Sequence, residues 1–236
     1  MTDVVGDQLP HPVARSRLEH ALAEAEQRTL RELEFVRQPL QRSVVAAMRA
    51  DCSLADAVAA EEVQFDRRYG EVHDQLMALI AQQAPVAGDL RLAMALLHVN
   101  DRVERIGAQC LNIATLCGAL PTGAQPSPDQ LRCLSEMSAL ADEQIRDAAK
   151  IFAERDIDGA ARLRERDAAI NEHNRECFAL AIKYGDEEKR REAAFFVAMM
   201  ARAIERIGDN AVEIGQQSAF IVTGRLRPVP ASSGSV

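Results

Sequence analysis

At 236 residues, 47% of them hydrophobic and with no Trp, the chain is long enough to bury a sizeable core and has the make-up of a helical protein. A formal charge of −8, with no run of Lys and Arg free of interleaved acids, leaves little to displace counterions and argues against nucleic acid as a partner. Five scattered cysteines, odd in number and without a Cys-x-x-Cys pair, suit small buried hydrophobes in a reducing compartment better than disulfides or zinc ligands.

The opening "MTDVVGDQLPHP" has no apolar segment of signal-peptide length and reads as a disordered tail over 1–12. A first helix follows over 13–49, with Leu33, Val36, Leu40, Val44 and Met48 spaced by three or four, and with Pro39 as a kink point. Ser53 is a plausible N-cap for a second helix to about Gln83, and Pro85 restarts the chain as a third helix to about Gly118. Turn formers fill 119–127, the best internal boundary. Ser127, Pro128 and Gln130 give a cap, a first-turn proline and a capping-box partner for a fourth helix to about Arg155. A fifth starts behind Asp156 and stops at Gly185, and a sixth runs from behind Asp186 to Thr223, before a second tail over 224–236. The longest apolar runs, from Leu92 and Ala193, fall short of the ~20 residues that cross a bilayer, so the expected protein is soluble and cytoplasmic, without membrane insertion.

The two halves repeat one another. In the second helix Val58, Glu62, Phe65, Tyr69, Val72, Leu76 and Leu79 keep a rhythm that Leu163, Asp167, Ile170, Asn174, Cys177, Ala181 and Tyr184 repeat 105 residues later. The seam Leu92, Leu96, Val99, Val103, Ile106, Cys110, Ile113 of the third helix returns 101 residues later as Ala193, Val197, Met200, Ile204, Ile207, Ala211, Ile214. The expected fold is all-α, two tandem antiparallel three-helix bundles over 13–118 and 128–223 joined by a linker over 119–127.

Acids interrupt the pattern at matching places. Opposite its seam, the third helix runs Leu90, Met94 and Leu97, then Asp101, Glu104 and Ala108. Glu62 and Asp66 add two carboxylates from one face of the second helix, and Asp167, Asn171, Glu205 and Asp209 repeat the arrangement in the second half. Like charges four residues apart cost roughly 0.2–0.5 kcal/mol when exposed, which a bound cation offsets; oxygen ligands suit Mg, Mn, Ca or iron. The plainer reading is a solvated face with Arg105 and Arg206 as surface ion-pair partners. Gly107 and Gly208 read as sites of close helix packing, and His20, His73, His98 and His173 as structural or surface residues. There is no Glu-x-x-His, His-Glu-x-x-His, Gly-x-x-x-x-Gly-Lys or Gly-x-Ser-x-Gly, so no enzyme chemistry is expected.

"QQAPVAGDLR" (82–91) with "VERIG" (103–107), and "ARAIERIGDNAVEIG" (201–215) with "FIVTG" (220–224), resemble the signature of the PhoU family of phosphate-regulon regulators. The resemblance runs from about Val13 to Gly224 and implies two three-helix bundles with metal ions or small clusters, of Fe, Mg, Mn or Zn, on paired acidic motifs. By position, one set is Glu62 and Asp66 with Asp101 and Glu104; the other is Asp167 and Asn171 with Glu205 and Asp209. Ala108 replaces the aspartate of the first motif and Asn171 an acid of the fifth helix, so the second set is expected to bind the metal more tightly. The resemblance also implies a cytoplasmic negative regulator of phosphate uptake, an adaptor between the ATPase subunit of a phosphate ABC transporter and a phosphate-sensing histidine kinase, and a homodimer. A metal-binding dimerisation or storage module without signalling is the rival.

Overall fold

The computed structural model describes residues 12–121, 123 and 126–225; the two expected tails lie outside the described residues except for Pro12, Gly224 and Arg225. Seven helices occupy the described residues, with no strand among them: α1 (Pro12–Arg49), α2 (Cys52–Ala59), α3 (Glu62–Gln83), α4 (Ala87–Gly118), α5 (Pro128–Glu154), α6 (Ile157–Lys183) and α7 (Glu188–Thr223). Helix α1 continues through Pro39 without a break.

Helix starts follow local chemistry, with three corrections. Asp51 rather than Ser53 caps α2, its carboxylate accepting the Leu54 N–H at 2.9 Å. The predicted second helix is two helices: at Ala60 and Glu61 the ladder tightens, the Glu61 N–H reaching the Val58 carbonyl at 3.0 Å, while both residues keep right-handed dihedrals. Glu61 is held there by an ion pair with Arg42 of α1, with Val58 and Phe65 buried on either side of the break. Ser127 caps α5 as expected, accepting the Gln130 N–H at 3.2 Å with Pro128 in the first turn. The Gln130 side chain does not complete a capping box; buried, it donates to the Ala194 carbonyl of α7 at 3.0 Å, since an interior amide needs a partner. Asp156 caps α6 by accepting the Gly159 N–H at 2.8 Å.

The duplicated seams become the core. Leu96, Val99, Val103, Ile106, Cys110 and Ile113 on α4, and their partners from Ala193 to Ile214 on α7, are buried, whereas Met48 at the end of the α1 pattern is exposed. Helices α1, α3 and α4, with the short α2, form one antiparallel bundle; α5, α6 and α7 form the other. The bundles do not stand apart. Helix α4 packs along α7 and α1 along α5, so one continuous apolar core runs through both. Half-buried ion pairs rim this junction: Arg37 holds Asp142 at 2.8 and 3.1 Å, Arg155 holds Glu26 at 2.7 Å, and Arg102 holds Glu213 at 2.9 Å. Among the described residues no helix is long and apolar enough to cross a membrane.

Gly107 of α4 lies directly against the Phe65 ring of α3. A Cβ there would lie 2.6 Å from Cδ1 of Phe65, a ring already pressed against Phe35 with centroids 5.4 Å apart. Gly107→Ala should therefore destabilise the protein by about 1–3 kcal/mol through overpacking, against a helix-propensity gain of at most about 1 kcal/mol. A thermal melt checks this: an unchanged or raised midpoint would mean that Phe65 has room to move.

Candidate functional site

The two acid sets lie on the outer faces of the paired helices α3/α4 and α6/α7, and they differ in depth. In the second set Asp167 is buried on α6, and Asn171, one turn on, donates to its Oδ2 at 2.8 Å. The other oxygen of Asp167 accepts from Gln144 of α5 at 3.3 Å. Gly208 admits this arrangement, because a Cβ there would stand 2.9 Å from both Asp167 Oδ1 and Gln144 Oε1.

Glu205, only 7% exposed, accepts at Oε1 from Arg202, while its buried Oε2 has no hydrogen-bond partner. Gln144 Oε1 is likewise buried and unpartnered. Burial foremost, then the charges of Asp209 and Asp167, push the Glu205 carboxyl above its usual range against the opposing pull of Arg202. Asp209 is pushed up as well, by burial and then by Asp167 and Glu213, against Arg202 and Arg206. Asp167 and Glu205 are thus buried on α6 and α7, with Asp209 exposed beside them and close enough for the charges to interact.

The first set is more open. Glu62 and Asp66 are exposed, and Glu62 makes no hydrogen bond or ion pair among the described residues. Asp101 pairs with Arg105 at 3.3 Å and lies 3.6 Å from Arg102. Glu104 is the tense member: burial, then Asp101 and Asp66, push its carboxyl up, with Arg105 opposing. Ala108, exposed, offers no ligand. Asp101 and Asp66 are thus near enough for their charges to act on Glu104, whereas Glu62 is not among the groups that do.

Two participants carry no motif that marks them in the sequence. Arg202 stands where the 101-residue repeat of Asp101 falls, so the second half has a guanidinium where the first has a carboxylate; the register itself carries that signal. Gln144 comes from α5, and no local pattern points to it. The surface ion pair expected at Arg105 forms, but the second pairing is made by Arg202 in place of Arg206.

Among the described residues neither acid set brings ligand atoms of three carboxylates within 4.8 Å of one another, so a cation would have to draw the carboxylates together, and the second set has the stronger reason to do so. An orphaned buried carboxylate oxygen is costly, by about 1–3 kcal/mol or more for a charged group, and the acids and the Gln144 amide oxygen offer oxygen ligands, the kind hard divalent ions prefer.

A duplicated all-helical bundle with matching acid clusters on its two halves defines the class of protein. The comparisons make it specific: the PhoU domain model matches twice, over residues 29–117 and 134–218, and the chain belongs to that family. It is 30% identical over 190 residues to the phosphate-specific transport system accessory protein PhoU homolog 1 of Mycobacterium tuberculosis (strain ATCC 25618 / H37Rv), covering 79% of this chain and 84% of that one. It is also 30% identical over 182 residues to the PhoU homolog of Caulobacter vibrioides (strain NA1000 / CB15N), covering 77% and 79%. The crystal structure of PhoU from Pseudomonas aeruginosa superposes with a TM-score of 0.80 at 22% identity, over 88% of this chain and 99% of that one, and so has the same fold.

Proposed function

We propose that this protein is a cytoplasmic accessory regulator of phosphate uptake, which restrains a phosphate ABC transporter and holds a phosphate-sensing histidine kinase inhibited when phosphate is plentiful. The observation that carries the proposal is the doubled PhoU match together with relatives named as phosphate-specific transport system accessory proteins. In this reading it acts by docking, not by catalysis, against the transporter's ATPase subunit and the kinase, as a homodimer.

Helix-bundle surfaces recognise partners through exposed apolar side chains beside fixed charges. Each central helix offers that combination: Leu90 and Met94 are exposed before the α4 acids, and Phe195 and Met199 before the α7 acids. Asp167, Glu205 and Asp209, aided by the Asn171 and Gln144 amide oxygens, would hold the tighter cation; Asp66, Asp101 and Glu104, with Glu62, would hold a weaker one. Such an ion supplies a positive charge that lets neighbouring helices keep their carboxylates ionised and fixed in place, joining metal binding to the stability of the docking face.

The test is phosphate-regulon reporter activity in phosphate-rich medium, in the source cell with the gene deleted and then restored. The expected result is a rise on deletion, of about 5- to 150-fold if the restraint resembles a coupling of about 1–3 kcal/mol, and a return on restoration. A silent reporter, in a strain with no other copy of the domain, leaves the rival of a metal-binding dimerisation or storage module.

A further inference from the structure

A third cluster lies on the other side of the C-terminal bundle, across the seam between α5 and α6. Cys133 Sγ is 3.7 Å from His173 Nδ1 and 3.6 Å from Glu176 Oε2, and His173 Nδ1 is 3.4 Å from the same Glu176 oxygen. Glu136 Oε2 stands 3.7 Å from His173 Nδ1 on the remaining side. Bond lengths to a tetrahedral zinc ion, about 2.3 Å for thiolate and 2.0–2.2 Å for imidazole and carboxylate, place such ligand atoms roughly 3.3–3.6 Å from one another. The three atoms are already at nearly that spacing.

We propose that Cys133, His173 and Glu176, with Glu136 or water as fourth ligand, form a binding site for a thiophilic divalent cation of the zinc class. The ligands come as two i,i+3 pairs facing each other, Cys133 and Glu136 on α5 and His173 and Glu176 on α6, so one register of one helix pair sets the whole cluster. Cys133 is its closed floor, while His173 and the two glutamates are partly exposed at the rim and leave a path for an ion. Arg132 orients both carboxylates, bonding Glu136 Oε2 and Glu176 Oε1 at 2.9 Å each and leaving Glu176 Oε2 turned to the sulfur and the imidazole. Partners of this kind set ligand orientation around a metal. The thiol proton, now directed at the His173 carbonyl 3.1 Å away, leaves to solvent when the ion takes its place.

The repeat gives an independent argument. The two domain matches begin 105 residues apart, and in that register Arg28, Arg31, Arg68 and Glu71 of the first half correspond to Cys133, Glu136, His173 and Glu176. In the first half Arg28 pairs directly with Glu71, and Arg68 lies nearby on Glu32 and over the Phe35 ring. There the protein supplies its own cations. In the second half the glutamate is still in place with Arg132 on one of its oxygens, and a group able to bind a cation stands where each first-half arginine stood.

The site is separate from the two acid sets and does not depend on the phosphate-uptake reading. Its test is Co2+ titration of the reduced, chelator-stripped full-length protein, followed by competition with Zn2+. The expected result is a thiolate-to-cobalt charge-transfer band that saturates with one thiolate-bound Co2+ per chain and that Zn2+ abolishes, lost in Cys133→Ser and retained in Cys52→Ser and in Asp209→Asn, whatever Co2+ the carboxylate sets take up without such a band. His173→Gln, at a partly exposed position, should weaken Zn2+ binding at least about 10-fold, the lower end of what even an orienting partner costs. No charge-transfer band, a band that survives Cys133→Ser, or Zn2+ affinity unchanged in His173→Gln overturns the proposal. The last readout holds even if the buried Cys133 variant fails to fold.

Discussion

Phe152→Ala should lower the free energy of unfolding by about 3–5 kcal/mol, the range for removing a buried aromatic ring and leaving its cavity. Phe152 is fully buried and is the bulkiest such side chain near the C-terminal end of α5. What surrounds it limits collapse. The Arg155 guanidinium lies over the ring, 5.0 Å from its centroid, and also holds Glu26 of α1 across the bundle junction. Arg155 adopts a left-handed conformation at the helix end, where its backbone N–H and its guanidinium both donate to the Phe152 carbonyl. Removing the ring thus unsettles a helix terminus and an inter-bundle contact along with the core. Urea unfolding followed by helix signal measures the loss, with Phe152→Leu as a milder control. A loss under about 1 kcal/mol would mean that the cavity refills and that this end of α5 is loosely packed.

The double substitution Glu205→Gln, Asp209→Asn should stabilise the cation-free protein at pH 7.5, on the order of 1 kcal/mol for relieving one poorly satisfied buried charge. Both carboxyls are held above their usual range in the folded chain, by burial first, then by Asp209 and Asp167 for Glu205 and by Asp167 and Glu213 for Asp209, with Arg202 and Arg206 opposing; Gln144 and Asn171 add only neutral amides, bonded to Asp167. In the unfolded chain they ionise at ordinary carboxylate values. Between those values and the raised ones the folded state binds more protons, so stability falls as pH rises through that window and stays low above it. Glu104 adds to this trend, and Glu176, held below its usual range by Arg132, runs against it. The informative quantity is therefore the native-minus-variant difference in urea midpoint, which should vanish at low pH and grow toward neutrality.

Adding Mg2+ or Mn2+ should invert the ranking. A ligand at 100 times its Kd stabilises by about 2.7 kcal/mol, and only the protein with intact acids gains it. The pair Asp66→Asn, Glu104→Gln should lose much less of that gain if the second set is the tighter. A double variant less stable than the native chain without metal at pH 7.5 would show that Arg202 and the amides already satisfy the acids.

Much of this is legible in the chain. Seams such as Val99, Val103, Ile106 and Cys110 repeat every three or four residues, and helix burial depends on that period alone; the repeat then pairs Glu104 with Glu205 and Asp66 with Asn171 by register. Caps at Ser127 and Asp156 are equally local, resting on side chains within three residues of the N–H they satisfy. The break between α2 and α3 is not, because Ala60 and Glu61 carry no helix-breaking signal and the contact that accompanies it, Arg42 with Glu61, joins two helices.

The helical class, the duplication and the acids that share a face are therefore all consequences of periodicity along one helix, readable from residue order. Which faces meet depends on how the helices pack. That packing joined the bundles through α4 and α7 into one core, brought Gln144 and Arg202 to the acids, and set Cys133 against His173, 40 residues away. A cysteine that looks like filler and a histidine without ligand spacing become a pair only when two helices are laid side by side. Spacing along one chain carries no information about register between two helices, which the packing of their buried side chains fixes.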